Sequence, residues 1–397
     1  MKWKNKGHEY DSIRSRLLEQ FGQHPHFYVF GAGIIGRMVG RLFEEYGCFA
    51  GFIDNNATLS LGTNNIITLD KYLNLDKESQ YPIVISTNLT AKEQIAQQLD
   101  GCGKVGEKDY FYYADFVSNI FPLLSLYLWK RSFVRIAQIS LTERCTLKCK
   151  KCAHGCFAVP RDSKDMEFEK AVHSIDSFFN VVDYINELML IGGEPFLYER
   201  LVDVIEFISS KYRNRINRLS IITNGTVLPK DYVLESLKKN KVFIHISNYT
   251  GTLPRLEKQY NNLTDALKER EIAYTLGPKQ LEWMDYGFGY YCRNAGSEEL
   301  ERVFDECHTS CREIRENRYY HCIMARAVSE NLKYEVVEDD SLDLDMLHGE
   351  LGKSIFEEYE LGYSDKGYSE MCNYCRGGKE AMKYIVPAAE QVDEKNG

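Results

Sequence analysis

From Val134 onward the chain alternates strand-like and helix-like segments, and this alternation limits the fold more than any other feature. Candidate strands VRIAQISL, ELMLI, RLSIITN, VFIHISN and IAYTLG are separated by segments of helical spacing. That is the pattern of a parallel α/β barrel or open sheet. Between the first two strands, Phe168, Ala171, Val172, Ile175, Phe178, Phe179 and Val182 recur on one helical face, as expected of a helix packed on a sheet. The first strand runs directly into LTERCTLKCKKCAH, so Cys145, Cys149 and Cys152 fall on the loop at its C-terminal end. Catalytic loops of α/β barrels occupy that end.

Twelve cysteines in a chain whose first twenty residues are charged and polar point to metal or redox chemistry in the cytoplasm, where thiols are kept reduced. Three thiolates at C-x3-C-x2-C hold three irons of a cubane and leave the fourth open to an external ligand. A structural zinc site is the alternative, with His154 or Cys156 as its fourth ligand. A second motif favours the cluster: Gly192-Gly193-Glu194-Pro195 follows the next strand, ELMLI, and loops after neighbouring barrel strands meet on one face.

In motif type and order, Val134 to Leu276 resembles the radical S-adenosylmethionine (SAM) superfamily. The resemblance implies a partial (βα)6 TIM-like barrel and a [4Fe–4S] cluster on Cys145, Cys149 and Cys152. It further implies that the open iron is chelated by the amino and carboxylate groups of SAM. One electron would then cleave the sulfur–carbon bond, and a 5′-deoxyadenosyl radical would abstract hydrogen from substrate. Gly192, Gly193, Glu194 and Pro195 would hold the methionine ammonium of SAM. Thr223, Asn224, Ser247 and Asn248, at the ends of later strands, would contact its ribose or carboxylate, or else cap turns. One departure stands out: Lys151 occupies the position before the third cysteine, where the family usually carries an aromatic residue near the adenine.

A second set of thiols follows. Cys311 and Cys322, with RYYHC reading as a strand that ends in a cysteine, precede the pair Cys372 and Cys375. Four thiolates complete a cubane, and tetrahedral zinc is again the alternative. The spacing resembles the auxiliary-cluster module called twitch, a relative of the SPASM domain, with Asn317 where a glycine is usual. Cys307 competes with Cys311 for the same ligand position. Cys292, after WMDYGFGY, is a candidate catalytic hydrogen donor or auxiliary ligand. The tail after Pro387 is polar and reads as loose.

Near the amino terminus, Gly31, Gly33 and Gly36 follow an apolar strand and open a helix, and Asp54 ends the next strand. This is the dinucleotide pattern: glycines for the tight turn, a helix N-terminus for phosphate and an acid for ribose. The unit spans about 90 residues, closer to half of a complete dinucleotide domain. It resembles the small Rossmann-like domains of bacterial sugar-modifying and polysaccharide-biosynthesis proteins. A nucleotide, a nucleotide-sugar or NAD is the implied ligand, and a scaffold without ligand is the alternative.

The division expected is therefore residues 1–116 as a Rossmann-like domain, 117–133 as a buried linker, 134–296 as the barrel core and 297–397 as a small iron–sulfur domain, all of α/β class. A net charge of −9 argues against nucleic acid. The most apolar stretch, Ile120 to Trp129 with Pro122 inside it, is too short to span a membrane. The leading expectation is a cytoplasmic radical SAM enzyme that oxidises, epimerises or rearranges a sugar or nucleotide-sugar, with electrons from flavodoxin or ferredoxin. A peptide-modifying radical SAM enzyme is second. From other classes, an NAD-dependent oxidoreductase with structural zinc and an iron–sulfur electron carrier remain.

Overall fold

The computed structural model describes residues 9–56, 66–87, 89–307, 312–335, 337–361 and 367–392. It divides into two compact units, Asn5–Arg135 and a second beginning at Ile136.

The amino-terminal unit is a parallel sheet of β1 (Phe27–Phe30), β2 (Phe49–Ile53), β3 (Ile66–Ile67), β4 (Ile83–Ile85) and β5 (Tyr110–Tyr112). Their order is β3-β2-β1-β4-β5, and every pairing is parallel. This supplies five of the six strands of the doubly wound dinucleotide order, more than the half expected from its length. The strands are only 2 to 5 residues long, so a fuller sheet fits in a short segment. Gly31 has φ +104° and Gly36 lies so close to the Gly31 carbonyl that a Cβ would meet it at 1.7 Å. The tight strand-to-helix turn therefore requires both glycines.

The segment expected as a linker is part of this unit. Helical turns Phe116–Ile120 and Phe121–Trp129 bury Phe116, Phe121 and Leu124 completely. Phe116 packs edge-on to Phe27 at 4.9 Å, and Phe121 does so against Tyr46 at 4.9 Å. The apolar run is core: Phe116 and Phe121 also pack against Phe43 of the helix Ile34–Glu45, at 6.0 and 5.8 Å.

The second unit holds an eight-stranded sheet. Five parallel strands, β6 (Phe133–Thr142), β7 (Tyr184–Gly192), β8 (Ile216–Thr223), β9 (Phe243–Ile246) and β10 (Tyr274–Leu276), lie in sequence order. Helices separate them, and the helix Phe168–Val181 buries Ala171, Ile175, Phe178 and Phe179. The residues after 297 do not build a sheet of their own. β12 (Arg312–Arg315) pairs parallel to β6, and β13 (Arg318–Tyr320) and β14 (Ser341–Asp343) continue antiparallel. The sixth parallel strand thus stands beside β6, not beyond β10, and Ile136–Gly397 is one compact unit where two domains were expected. A small antiparallel pair, β11 (Glu282–Met284) with β15 (Ile385–Pro387), lies outside this sheet.

A buried ionic cluster joins these parts. Arg326, fully buried, donates to both carboxylate oxygens of Glu313 on β12 and, at 2.8 Å, to Glu143 at the start of the cysteine loop. Asn331 donates to the other oxygen of Glu143 and to the His154 carbonyl. Substituting one partner of a buried pair leaves an uncompensated charge, so Arg326→Leu is expected to lower unfolding free energy by about 3–5 kcal/mol, read by urea denaturation.

On β7, burial raises the Glu187 carboxyl, but His245, Arg218 and Ser220 outweigh it and hold the group below its ordinary value. A depressed carboxylate stabilises the fold above its unfolded pKa and loses that contribution as pH falls through the folded value. The urea midpoint should accordingly drop below pH of about 4.5, and less steeply in Glu187→Gln.

Candidate active site

At the C-terminal ends of β6, β7, β8 and β9 lies a cavity of about 370 Å³. Cys145, Cys149 and Cys152 line it, together with Gly192, Gly193, Thr223, Asn224 and Ser247. The cysteine loop and the glycine motif are locked backbone to backbone: Gly193 N–H donates to the Thr142 carbonyl at 2.8 Å and Glu194 N–H to that of Arg144 at 2.9 Å. A Cβ on Gly192 would meet the Thr142 oxygen at 2.3 Å, and one on Gly193 the Arg144 oxygen at 2.3 Å. These glycines are therefore required by the apposition of the two loops, whatever else they contact.

Glu194 does not face the cavity. Fully buried, its carboxylate accepts from Thr223 Oγ1, from Asn224 N–H at 2.9 Å and from Phe196 N–H at 3.2 Å. Burial pushes this carboxyl up to about 7. Its place in the structure is a tie between the ends of β7 and β8, and Pro195 beside it is buried too. Asn248 likewise turns away: its amide oxygen accepts from Thr250, and its nitrogen donates to the Gly277 carbonyl. It is a turn cap, whereas Asn224 both caps Thr226 and donates to Cys145 Sγ at 3.4 Å.

Each thiol of the loop has polar company. Leu147 N–H also donates to Cys145, and Gln391 Nε2 donates to Cys149 Sγ at 3.3 Å. Burial pushes the Cys145 thiol up to about 11 and the Cys149 thiol up to about 12. The neighbouring Cys156 thiol holds Cys152 down to about 6. Gln391 comes from the tail expected to be loose. Instead Ala388 and Ala389 are buried, and the backbone beyond pairs with the loop through Lys150 N–H to Glu390 and Val392 N–H to Lys148. The segment is a strap, ordered because it satisfies backbone groups of the cysteine loop.

Sequence reading also missed the far wall, where Tyr249, Trp283, Met284 and Tyr286 line the cavity. The run WMDYGFGYY carried the signal, as an aromatic cluster between two cysteine sets. Lys151, where an aromatic residue was expected, bonds to Asp285 at 3.0 Å and lies 4.1 Å above the Tyr290 ring. Asp285 also meets Arg376 at 3.4 Å. Cys292 is exposed, bonded to Asn294, and lines neither this cavity nor the one described next.

Cys322, Cys372 and Cys375 converge on a second, smaller cavity with Cys307, His321, Ser369 and Tyr286. Cys311 lies outside the described residues. Burial raises the Cys322 and Cys372 thiols beyond their usual range and takes Cys375 to about 12. Among the described residues, no three Cys, His, Asp or Glu side chains converge as they would on a single metal ion.

In the amino-terminal unit a cavity of about 250 Å³ opens between β1 and β4, lined by Gly31, Asp54, Asn55, Thr87, Gln94 and Gln98. That is the topological switch point, where doubly wound sheets bind ligands. Asp54 already accepts from Ala32 N–H at 2.8 Å and from Asn56 N–H at 2.8 Å, so it braces the glycine loop. Gly33 and Gly36 do not line the cavity.

Residues 139–252 match the model of the radical SAM superfamily, so this segment is similar to the radical SAM domain. Members of that superfamily bind a [4Fe–4S] cluster and S-adenosylmethionine. An uncharacterized protein of Methanocaldococcus jannaschii is 29% identical over 110 residues, 28% of this chain and 36% of the relative. The antilisterial bacteriocin subtilosin biosynthesis protein AlbA of Bacillus subtilis is 24% identical over 223 residues, 53% of this chain and 41% of its own length. The chain thus spans well under half the length of either relative. Among solved structures, BtrN in complex with AdoMet and 2-DOIA aligns over 65% of this chain and 97% of its own at 15% identity, TM-score 0.35.

Gly193→Ala forces a Cβ into the Arg144 carbonyl, so it is expected to destabilise the protein before any cofactor is added. A lowered thermal midpoint of the metal-free variant checks this; an unchanged midpoint would assign the glycine to cofactor contact alone.

Proposed function

We propose that the protein reductively cleaves S-adenosylmethionine at a cluster held by Cys145, Cys149 and Cys152. In this reading it abstracts a hydrogen atom from a sugar or nucleotide-linked sugar. The observation that carries the reading is the single cavity in which the three thiols face Gly192 and Gly193 at the strand ends. A cluster held by Cys145, Cys149 and Cys152 would supply the one electron that reductive cleavage of SAM requires, and the adenosyl group released with methionine would take hydrogen from substrate. The chain's own residues frame this chemistry. Asn224 and Gln391 donate to the sulfurs, and hydrogen bonds to the sulfurs help set a cluster's potential. The backbone at Gly192 and Gly193 offers close approach for the methionine end of SAM. Tyr249 and Trp283 give flat apolar surfaces on the opposite wall, in place of the aromatic residue that Lys151 replaces.

The second cysteine set would receive the electron left on the substrate once a proton has departed, giving net oxidation. The glycine loop and switch-point cavity of the amino-terminal unit support a phosphate-bearing ligand and tilt the substrate towards a nucleotide-sugar. A cytoplasmic carrier such as flavodoxin or ferredoxin would supply the electrons. Peptide modification is the second reading, favoured by the similarity to the subtilosin biosynthesis protein.

Anaerobic reconstitution followed by dithionite and SAM tests the proposal. About eight irons per chain, four for each thiolate set, are expected. 5′-Deoxyadenosine should form and disappear in the Cys145→Ala, Cys149→Ala, Cys152→Ala variant. Zinc in place of iron, with no cleavage of SAM, would refute it. Deuterium transfer into 5′-deoxyadenosine from a labelled nucleotide-sugar, but not from a labelled peptide, would decide the substrate class.

A further inference from the structure

On the wall of the second thiol cavity lies a polar group whose ring nitrogens find no hydrogen-bond partner among the described residues. His321 follows β13 and precedes Cys322, with its ring between Phe304, 4.9 Å away, and Tyr359 at 6.0 Å. Both of its ring nitrogens are buried, and among the described residues neither has a hydrogen-bond partner. The Glu360 backbone interacts with the ring without meeting full hydrogen-bond geometry. Ser369, another polar side chain on the cavity wall, is committed to Asp340 at 2.6 Å. A buried donor without a partner costs about 1–3 kcal/mol, and native structures rarely tolerate one unless something fills the gap. The thiols around this space are those of Cys307, Cys322, Cys372 and Cys375, and the thioethers of Met324 and Met371 complete its sulfur lining.

We propose that His321 donates its ring N–H to a sulfur of an iron–sulfur cluster held by the second cysteine set, raising that cluster's reduction potential. The inference rests on reading this set as an iron–sulfur site. Four thiolates already satisfy four irons, so a fifth group facing the cluster meets its sulfurs, and hydrogen bonds to those sulfurs raise the potential by stabilising the more negative, reduced state. Gly377 N–H, 3.3 Å from Cys375 Sγ, is a donor of the same kind from the backbone. His321 is thus a positioning and tuning residue rather than a ligand.

The test uses the full chain carrying Cys145→Ala, Cys149→Ala and Cys152→Ala, so that only the second site loads. Iron, zinc and sulfide are counted, and the midpoint potential is read by redox titration with electron paramagnetic resonance. The parent is compared with His321→Phe, which cannot donate, and His321→Asn, which can. Expected is full iron in all three. At a fixed poise His321→Phe should show about a tenfold lower ratio of reduced to oxidised cluster, equivalent to about 59 mV for one electron, with His321→Asn restoring most of it. An unchanged midpoint in a fully loaded His321→Phe overturns the donor role and leaves the cluster intact as a reading. Loss of iron from both variants, with circular dichroism unaltered, overturns it in favour of direct ligation. Zinc in the parent overturns the iron–sulfur reading itself.

Discussion

The guanidinium of Arg326 holds together the parts on which both cysteine sites depend. It sits one turn beyond Cys322, grips Glu313 on the strand that extends the barrel sheet, and reaches Glu143 two residues before Cys145. Burial raises the Glu143 carboxyl, but Arg326, Arg315 and Asn331 outweigh it and keep the group below its ordinary range. Such a cluster contributes little net stability compared with an apolar core of equal volume. Removing any member is costly, however, so the cluster enforces one arrangement. Here the arrangement enforced is the register of the cysteine loop against the helix Met324–Leu332.

With the base of the loop fixed, backbone contacts shape the rest of the cavity. The glycine motif presses against the Thr142 and Arg144 carbonyls, Glu194 ties β7 to β8, and Asn224 and Gln391 turn amide hydrogens onto sulfur. Chains of hydrogen bonds in a low-dielectric interior strengthen one another when fully satisfied. The site is accordingly stiff where thiolates must be presented and walled by aromatic residues where a ligand would lie. A second polar chain, Lys151 to Asp285 to Arg376, runs from the residue before Cys152 to the residue after Cys375, so the two cysteine sets share a mechanical link as well as Tyr286.

What the sequence made legible was local. Strand–helix alternation gave β6 to β10, and spacing put Cys145, Cys149 and Cys152 on one loop. The glycine pattern marked the turn after β1. What it hid was long-range. Nothing in the periodicity of residues 312–343 says that they extend the sheet beside β6, because that pairing joins positions far apart in the chain. Glu194 read as a ligand group because an acid beside two glycines suits a cation; only the structure shows its oxygens already taken by Thr223, Asn224 and Phe196. The apolar run Ile120–Trp129 looked like a connector because it lies between two motif-bearing regions, whereas its aromatic rings complete the core of the first. The unsatisfied imidazole of His321 is invisible to any pattern, since it depends on what fails to approach it.

The strap that carries Gln391 also sets an order of events during synthesis. Cys149 and Gln391 are 242 positions apart, so a growing chain displays the thiols of Cys145, Cys149 and Cys152 long before the segment that clamps their loop has left the ribosome. Until then the loop lacks the backbone partners at Glu390 and Val392 and the amide that meets Cys149. Nearly the whole second unit must be made before the cysteine loop can close against its strap.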